Sequence, residues 1–117
     1  MHNFRELKIW QNGIDLATSV YQSVESFPAN ERYGLTSQIT RAAVSIPSQI
    51  AEGCSRKSEK EMAYFLSISL GSSYELESQL IIANKIKILN DESFNSLKNQ
   101  CIEQQKMIFS FMKKINP

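Results

Sequence analysis

The sequence predicts an all-α protein, an antiparallel up-down-up-down four-helix bundle that fills residues 1–117 as one domain. Apolar residues recur at alternating steps of three and four along four stretches of the chain, and polar connections of a few residues separate these stretches. No useful length alternates with period two. The four glycines and three prolines are too few for an all-β protein, which needs a turn about every ten residues.

The first helix is expected over residues 5–26. Its seam, meaning the line of apolar residues that faces the core, consists of Leu7, Trp10, Ile14, Ala17, Tyr21 and Val24. Gly13 either weakens this helix slightly or lets another helix approach closely. Residues 27–30 form a turn because the residue before a proline avoids the helical conformation, and Asn30 is expected to cap the second helix.

The second helix is expected over residues 31–52, with a bend at Pro47. The proline lacks the amide that would donate to the Ala43 carbonyl, and its ring crowds that group. Gly53 is expected to end this helix in the left-handed conformation.

An S-x-x-E capping box begins the third helix at Ser58, and the helix is expected to reach about Lys87. The small residues 71–73 at its centre are expected to face inward. Asn90 or Asp91 caps the fourth helix. The third seam comprises Met62, Phe65, Leu66, Ser69, Leu76, Leu80, Ala83 and Ile86. The fourth is an unbroken heptad of Phe94, Leu97, Cys101, Gln104, Ile108, Phe111 and Ile115.

Several apolar residues lie off these four seams: Ile9, Leu16, Ile68, Ile81, Ile82, Ile102 and Phe109. Broad apolar stripes are normal on globular helices, which is one explanation. The other is that a second subunit covers these residues. Their repeated seven-residue spacing favours self-association.

Composition restricts the function classes. The formal net charge of +1 gives no general attraction for nucleic acid or membranes. The N-terminus lacks the apolar segment of a secretory signal, and no apolar run is long enough to span a membrane, so a cytoplasmic location is expected. Cys54 and Cys101 lie far apart and outside any CxxC pattern, which favours incidental reduced thiols over a disulfide or metal site.

The sequence predicts no catalytic, cofactor-binding or metal site. His2 is the only histidine and lies at the terminus. The chain has no HExxH motif, no glycine-rich phosphate loop and no cysteine–histidine pairing. A ferritin-like di-iron site needs Glu-x-x-His pairs on two helices, which one histidine cannot supply. We therefore expect a protein that is not an enzyme.

A polar cluster is predicted beside the seam of the second helix, which consists of Leu35, Ile39, Ala42, Ile46 and Ile50. Arg41, Ser45 and Glu52 share one helical face, and antiparallel packing brings Arg41 within reach of Glu75, with an axial mismatch of about 7 Å. The favoured interpretation is a structural cluster in which an Arg–Glu pair fixes helix register. The alternative is a small-molecule-binding or enzymatic bundle that uses Arg41, Glu52 and Glu75.

A basic end is the remaining signal. In this topology the N-terminus, the second connection and the C-terminus lie at one end, which holds seven cationic residues against four carboxylates, an excess of three. The cations are possible nucleic-acid contacts: Arg5, Lys8, Arg56, Lys57, Lys60, Lys113 and Lys114. The alternative is that they complement helix dipoles. No exposed aromatic is expected among them, so base stacking is not indicated.

The chain resembles the 23S rRNA-intervening-sequence family of bacterial four-helix-bundle proteins over nearly its whole length. The stretches that carry the resemblance are FRELKIW at 4–10, Phe27-Pro28, Glu31, Tyr33-Gly34-Leu35, Gln38, RAAVSIP at 41–47, IAEG at 50–53, Phe65-Leu66 and GSSYELE at 71–77. The run from 41 to 53 is the most specific of them.

This resemblance implies a homopentameric ring. It also implies kinship with the accessory protein of diversity-generating retroelements, which associates with a reverse transcriptase and nucleic acid. That accessory protein is strongly basic, whereas this chain carries +1. The expected function is a non-enzymatic, homo-oligomeric binding or scaffold module, with rRNA, another nucleic acid or a ribonucleoprotein at the basic end. A purely structural assembly partner for another protein is the alternative.

Overall fold

The computed structural model describes residues 2–117 and confirms the all-α four-helix bundle. Its helices are α1 (Lys8–Val24), α2 (Leu35–Cys54), α3 (Glu59–Lys85) and α4 (Asp91–Ile115). Each helix packs against the next one along the chain, and α4 closes the bundle against α1. The molecule measures 43 × 23 × 20 Å, and its long dimension is close to the ~40 Å expected for a helix as long as α3.

Two helix starts follow the predicted caps. The Ser58 hydroxyl accepts from the Glu61 amide at 3.1 Å and begins α3. The Asn90 side chain accepts from the Ser93 amide at 2.8 Å and begins α4. At its other end α3 stops at Lys85, short of the predicted residue, because Lys87 takes the left-handed conformation with φ of 68°.

The other two starts come later than predicted because a 3-10 turn precedes each helix. One turn, Phe4–Glu6, delays α1 to Lys8. The second, Ala29–Glu31, contains the residue that was predicted to cap α2. The N-cap of α2 is instead Gly34, and the Glu31 carboxylate accepts from the amide of Leu35, the first residue of the helix, at 3.2 Å.

The predicted α1 seam is only partly correct, because Ala17 is buried and Leu7, Trp10 and Val24 pack against the core partly buried, but two of its residues do not. The buried residues of α1 are Ile9, Gly13, Leu16, Ala17 and Val20. Ile14 and Tyr21, both predicted to face the core, are 39% and 51% exposed. The reason is close packing at Gly13, where an added Cβ would lie 3.3 Å from both the Pro47 Cβ and the Gln104 Nε2. This narrow side of α1 therefore faces the core, and Trp10, Ile14 and Tyr21 of the predicted seam lie on the flank towards α2.

Gly53 does not end α2 in the left-handed conformation. It is buried inside the helix, and among residues 2–117 no glycine has a positive φ. An added Cβ there would lie 3.1 Å from the Phe65 Cβ and 3.2 Å from the Met62 carbonyl oxygen. Gly53 thus permits close contact between α2 and α3. Gly71, predicted to face inward, is exposed, and no atom beyond the adjacent backbone of its own helix lies within 4 Å of an added Cβ.

Packing between α2, α3 and α4 agrees better with the predicted seams, except that Ile86 at the end of the α3 seam is 53% exposed. On the α4 seam the buried residues are Leu97, Cys101, Gln104, Ile108 and Ile115. Phe111 is partly buried and packs against the core. The buried Ser69 hydroxyl of α3 donates to the Ile46 carbonyl of α2 at 2.8 Å, next to Pro47. Pro47 lies inside α2 as predicted, while the bend there stays a prediction.

Gln104 offers a test of core packing. Its side chain is almost completely buried, and its Nε2 donates to the Ile9 carbonyl at 2.7 Å, while its Oε1 has no partner. Gln104→Met keeps the volume and removes that unpaired acceptor, so we expect urea unfolding to show a free energy within ~1 kcal/mol of the wild type, or above it. A loss of several kcal/mol would contradict this and show that the oxygen is hydrogen-bonded in solution.

Candidate nucleic-acid interface

The structure brings the N-terminal segment, the α2–α3 connection and the end of α4 to one end of the bundle. The His2 ring lies 6.0 Å from the Phe111 ring of α4 in an edge-to-face contact. His2 also lines a small hollow with Arg56, Lys57 and Ser58 of the α2–α3 connection. The basic end that the topology predicted is therefore one continuous region.

A groove between the start of α1 and the end of α4 is the main concave feature of this end. It has a volume of about 400 Å³ and an apolar floor formed by Leu7, Ile9, Met107 and Phe111. Lys8, Lys106 and Lys114 line it, together with Ser110 and a single carboxylate, Glu103. We call it the lysine groove. Three cations against one carboxylate give it a local positive potential that the net charge of the whole chain does not reveal.

Lys106 was missed by the sequence reasoning, which considered only the residues next to the helix ends. A usable signal was present, because Lys106, Ser110 and Lys114 are spaced by four and therefore share one face of α4. Lys57 and Lys60 are exposed at the same end of the bundle but lie outside this groove.

Aromatic rings accompany several of these cations. The Lys113 ammonium lies 5.0 Å from the Phe109 ring centre, and the Arg5 guanidinium lies 4.4 Å from the Phe4 ring centre. Phe109 is 50% exposed. The prediction that the basic end has no exposed aromatic is therefore wrong, since Phe109 lies off the α4 seam and has solvent on one side. An exposed ring beside a cation can stack on a nucleobase.

Arg56 differs from the other cations because it already has partners. Its guanidinium forms an ion pair with Glu52, one turn back, and lies 4.6 Å from the Phe65 ring centre. The Arg56 charge is locally compensated, so it contributes less to phosphate attraction than the lysines do. Glu52, predicted as part of the polar cluster, belongs to this pair instead.

The predicted contact between Arg41 and Glu75 does not form. Both side chains are exposed, and within residues 2–117 the single ion pair is the one between Arg56 and Glu52. Ser45 meets Ser72 of α3 with their hydroxyl oxygens 2.8 Å apart, so this contact joins α2 to α3 at that level. Arg41 and Glu75 lie on the outer flanks beyond it, where water solvates both charges.

The two cysteines are buried and unpaired. Burial, together with the nearby Glu77 carboxylate, raises the pKa of the Cys101 thiol to about 12. The pKa of Cys54 is also raised by burial. Both thiols are therefore protonated at neutral pH and are weak nucleophiles. In the described part of the chain, no three His, Cys, Asp or Glu side chains gather into a group that could hold a metal ion.

None of the four helices is long and apolar enough to cross a membrane, as far as residues 2–117 are concerned. The fold and the basic end together define a small antiparallel helical bundle with a cationic, partly aromatic surface at one end. The family model of the 23S rRNA-intervening sequence protein matches residues 5–110, so the chain belongs to that family.

A solved structure shares this fold. It is a protein of unknown function from the S23 ribosomal protein family of Bacteroides thetaiotaomicron VPI-5482, 23% identical to this chain, with a TM-score of 0.82. The match covers 90% of this chain and 98% of that one. Comparison with curated proteins gave no match.

Proposed function

We propose that this chain is a non-enzymatic, homo-oligomeric binding or scaffold protein that associates with RNA, either rRNA or the RNA of a ribonucleoprotein, through its basic end. The observation that carries the proposal is the lysine groove, where Lys8, Lys106 and Lys114 line a hollow with an apolar floor. The exposed Phe109 ring lies outside this groove, next to Lys113. We further propose a homopentamer in the bacterial cytoplasm, following the family resemblance.

Binding in this proposal is mainly electrostatic. Lysine ammonium groups neutralise phosphates and release counterions, which makes affinity fall as salt rises. Lys57, Lys60 and Lys113 extend the charged surface around the groove. Phe109 adds a flat apolar face against which an unpaired base can stack without sequence preference. Self-association repeats this surface in every subunit, so the weak charge of one chain becomes a multivalent site.

The test is salt-dependent binding of a fluorescent single-stranded RNA by the wild type and a triple variant, Lys8→Gln with Lys106→Gln and Lys114→Gln. The plot of log K against log salt should lose a slope of about 2, because each lysine contributes about 0.7 on single strands. Affinity at low salt should fall by at least about tenfold.

A charge-matched control removes three lysines near the opposite end: Lys85→Gln, Lys87→Gln and Lys98→Gln. We expect this variant to keep the wild-type slope. Equal losses in both triple variants would indicate non-specific attraction to the whole molecule, and no binding by the wild type at low salt would overturn the proposal.

A further inference from the structure

The lysine groove has two unlike ends, and its outer end is cationic. The Asn12 side-chain amide of α1 donates to the Met107 sulfur of α4 at 2.9 Å, which sets the level of the two antiparallel helices. Lys8 and Phe111 each lie four residues closer to the end of the bundle, so they are level with each other. Lys114 lies about 5 Å further out along α4. Two cations therefore stand around the outer end of the apolar floor.

A carboxylate stands at the inner end of the groove. Glu103 lies one turn before Met107 on α4, about 6 Å further from the end of the bundle, and it is exposed. Lys106 is three residues away, a spacing at which helical side chains can pair. Glu103 nevertheless forms no ion pair with Lys106, nor with any other cation among residues 2–117. Its oxygens are therefore free to accept hydrogen bonds from a ligand.

This carboxylate opposes the binding of phosphate alone. A negative charge repels phosphate, so a groove that contacted only the RNA backbone would bind it better without Glu103. The carboxylate favours a ligand that presents hydrogen-bond donors together with its negative charge. A nucleotide does so, because its base carries donors along one edge while its phosphate lies at the other end. The two ends of the lysine groove match the two ends of a nucleotide.

The apolar floor between these ends requires the base to be unpaired. Leu7, Ile9, Met107 and Phe111 form this floor in a hollow of about 400 Å³, a volume within the range of ligand pockets. In a duplex each base is stacked between its neighbours and its edge is paired, so neither its face nor its edge can reach the groove. An unpaired base can lay its face on the apolar side chains and turn its edge to the carboxylate.

Guanine is the base whose edge fits a carboxylate. Its Watson–Crick edge presents two neighbouring donors, the N1–H and the 2-amino group, which can bond to the two oxygens of one carboxylate. Adenine and cytosine present one amino donor beside a ring nitrogen that accepts, and uracil presents one N–H between two carbonyls. The acceptors of these three bases repel a carboxylate, which accepts only. Hydrogen bonds to an ionised group are also the stronger class.

We propose that the lysine groove holds an unpaired guanine nucleotide of the RNA, with the base on the apolar floor, its Watson–Crick edge on the Glu103 carboxylate and its flanking phosphates on Lys8 and Lys114. The inference rests on the proposed function and specifies the base that the site prefers. Phe109, outside the groove beside Lys113, stacks on a neighbouring base without preference. The groove thus adds base selection to a contact that is otherwise electrostatic.

The experiment is fluorescence anisotropy on the full chain with labelled uridine runs about fifteen nucleotides long, which carry one central guanosine, adenosine, cytidine or inosine, or uridine throughout. We expect the guanosine run to bind at least about fivefold more tightly than the adenosine, cytidine and all-uridine runs. Inosine keeps the N1–H but lacks the 2-amino group, so its affinity should fall between these values. After annealing to complementary strands, the guanosine and adenosine runs should bind alike.

Two protein variants assign the preference to one side chain. Glu103→Gln removes the carboxylate at an exposed helical position, where glutamine and glutamate are equally good helix formers, so the fold is kept. This variant should lose the preference for guanosine, while its affinity for the all-uridine run stays the same or rises because one repelling charge is gone. Glu75→Gln, exposed on α3 and outside the groove, is the charge-matched control and should keep the preference.

The outcomes separate this inference from the proposed function. Equal affinity of the wild type for all the single-stranded runs overturns the inference, and so does a guanosine preference that survives in Glu103→Gln or in the duplex. In each of these cases RNA association through the lysine groove stands if binding weakens with salt and the triple lysine variant loses slope. Absence of binding to every run at low salt overturns both the proposed function and the inference.

Discussion

Replacement of Gly53 by alanine should lower the free energy of unfolding by about 2 kcal/mol and the melting temperature by about 8 °C. The new Cβ would lie 3.1 Å from the Phe65 Cβ and 3.2 Å from the Met62 carbonyl oxygen. Both atoms are fixed to the α3 backbone, so neither can move away by a rotation of its side chain. Relief requires α2 and α3 to separate, which weakens packing along their contact.

The expected loss is a net value. Alanine is the better helix former by ~1 kcal/mol, and overpacking of this kind costs up to about 3 kcal/mol, so the steric effect prevails. Gly71→Ala is the matched control, because the same substitution falls on the same pair of helices but into open space. It should raise the free energy of unfolding by about 0.5–1 kcal/mol.

Both variants should be measured by urea unfolding at low protein concentration, where self-association does not contribute. If Gly53→Ala is as stable as Gly71→Ala, then α2 and α3 are not in tight contact at this point. In that case Gly53 would have to be explained by helix termination, as the sequence first indicated.

Sequence periodicity predicted the four helices because each has a long apolar stripe, and α4 shows this best. Its heptad is the only regular apolar line on that helix that continues to the end, and the structure buries its central positions. On α1 two lines compete. Ile9, Leu16 and Val20 form one, while Trp10, Ile14 and Tyr21 form the other. Spacing alone cannot tell which line faces the core.

The choice on α1 depends on tertiary contacts that no local pattern contains. Gly13 lies against Pro47 and Gln104, so the side of α1 with the smallest residue comes closest to its neighbours. The larger side chains of the other line are then left in a hollow between α1 and α2, where Ile14 is 39% and Tyr21 51% exposed. The uncovered apolar residues of α1 are therefore Ile14 and Tyr21, whereas the sequence had indicated Ile9 and Leu16.

The sequence predicted the position of the candidate site along the bundle but not the side of each helix that its residues occupy. Antiparallel topology alone places the helix ends together, and the structure brings the N-terminal segment, the α2–α3 connection and the end of α4 to one end of the bundle. Axial level, however, does not determine the flank of a helix on which a side chain lies. Arg41 and Glu75 were expected to pair on the basis of level alone, yet they remain apart while Ser45 meets Ser72. Whether the Phe109 ring is exposed likewise depends on the side of α4 that carries it, and not on its position along the bundle axis.

Alkaline pH should destabilise the protein through Cys101. Its side chain is completely buried, and its thiol lies 3.1 Å from the Ser73 carbonyl. Burial and Glu77 raise the pKa of this thiol from the ordinary 9.0 to about 12. Between these values the unfolded chain loses the proton while the folded chain keeps it. The stabilising contribution is therefore complete below pH 9 and disappears as pH rises towards 12.

The slope in that window should be about 1.4 kcal/mol of lost unfolding free energy per pH unit, the value for one proton. Cys101→Ser isolates it, because serine keeps a donor towards the Ser73 carbonyl and does not titrate in this range. Every other titratable group is common to the two proteins, so its contribution cancels in the difference. Urea unfolding at steps from pH 8 to about 10.5 should show the wild type losing its advantage over the serine variant at that slope. If the unfolding free energies of the two proteins stay parallel as the pH rises, the prediction is wrong. That result would mean that water reaches the Cys101 thiol in the folded state. The thiol would then lose its proton at nearly the same pH in the folded and the unfolded chain.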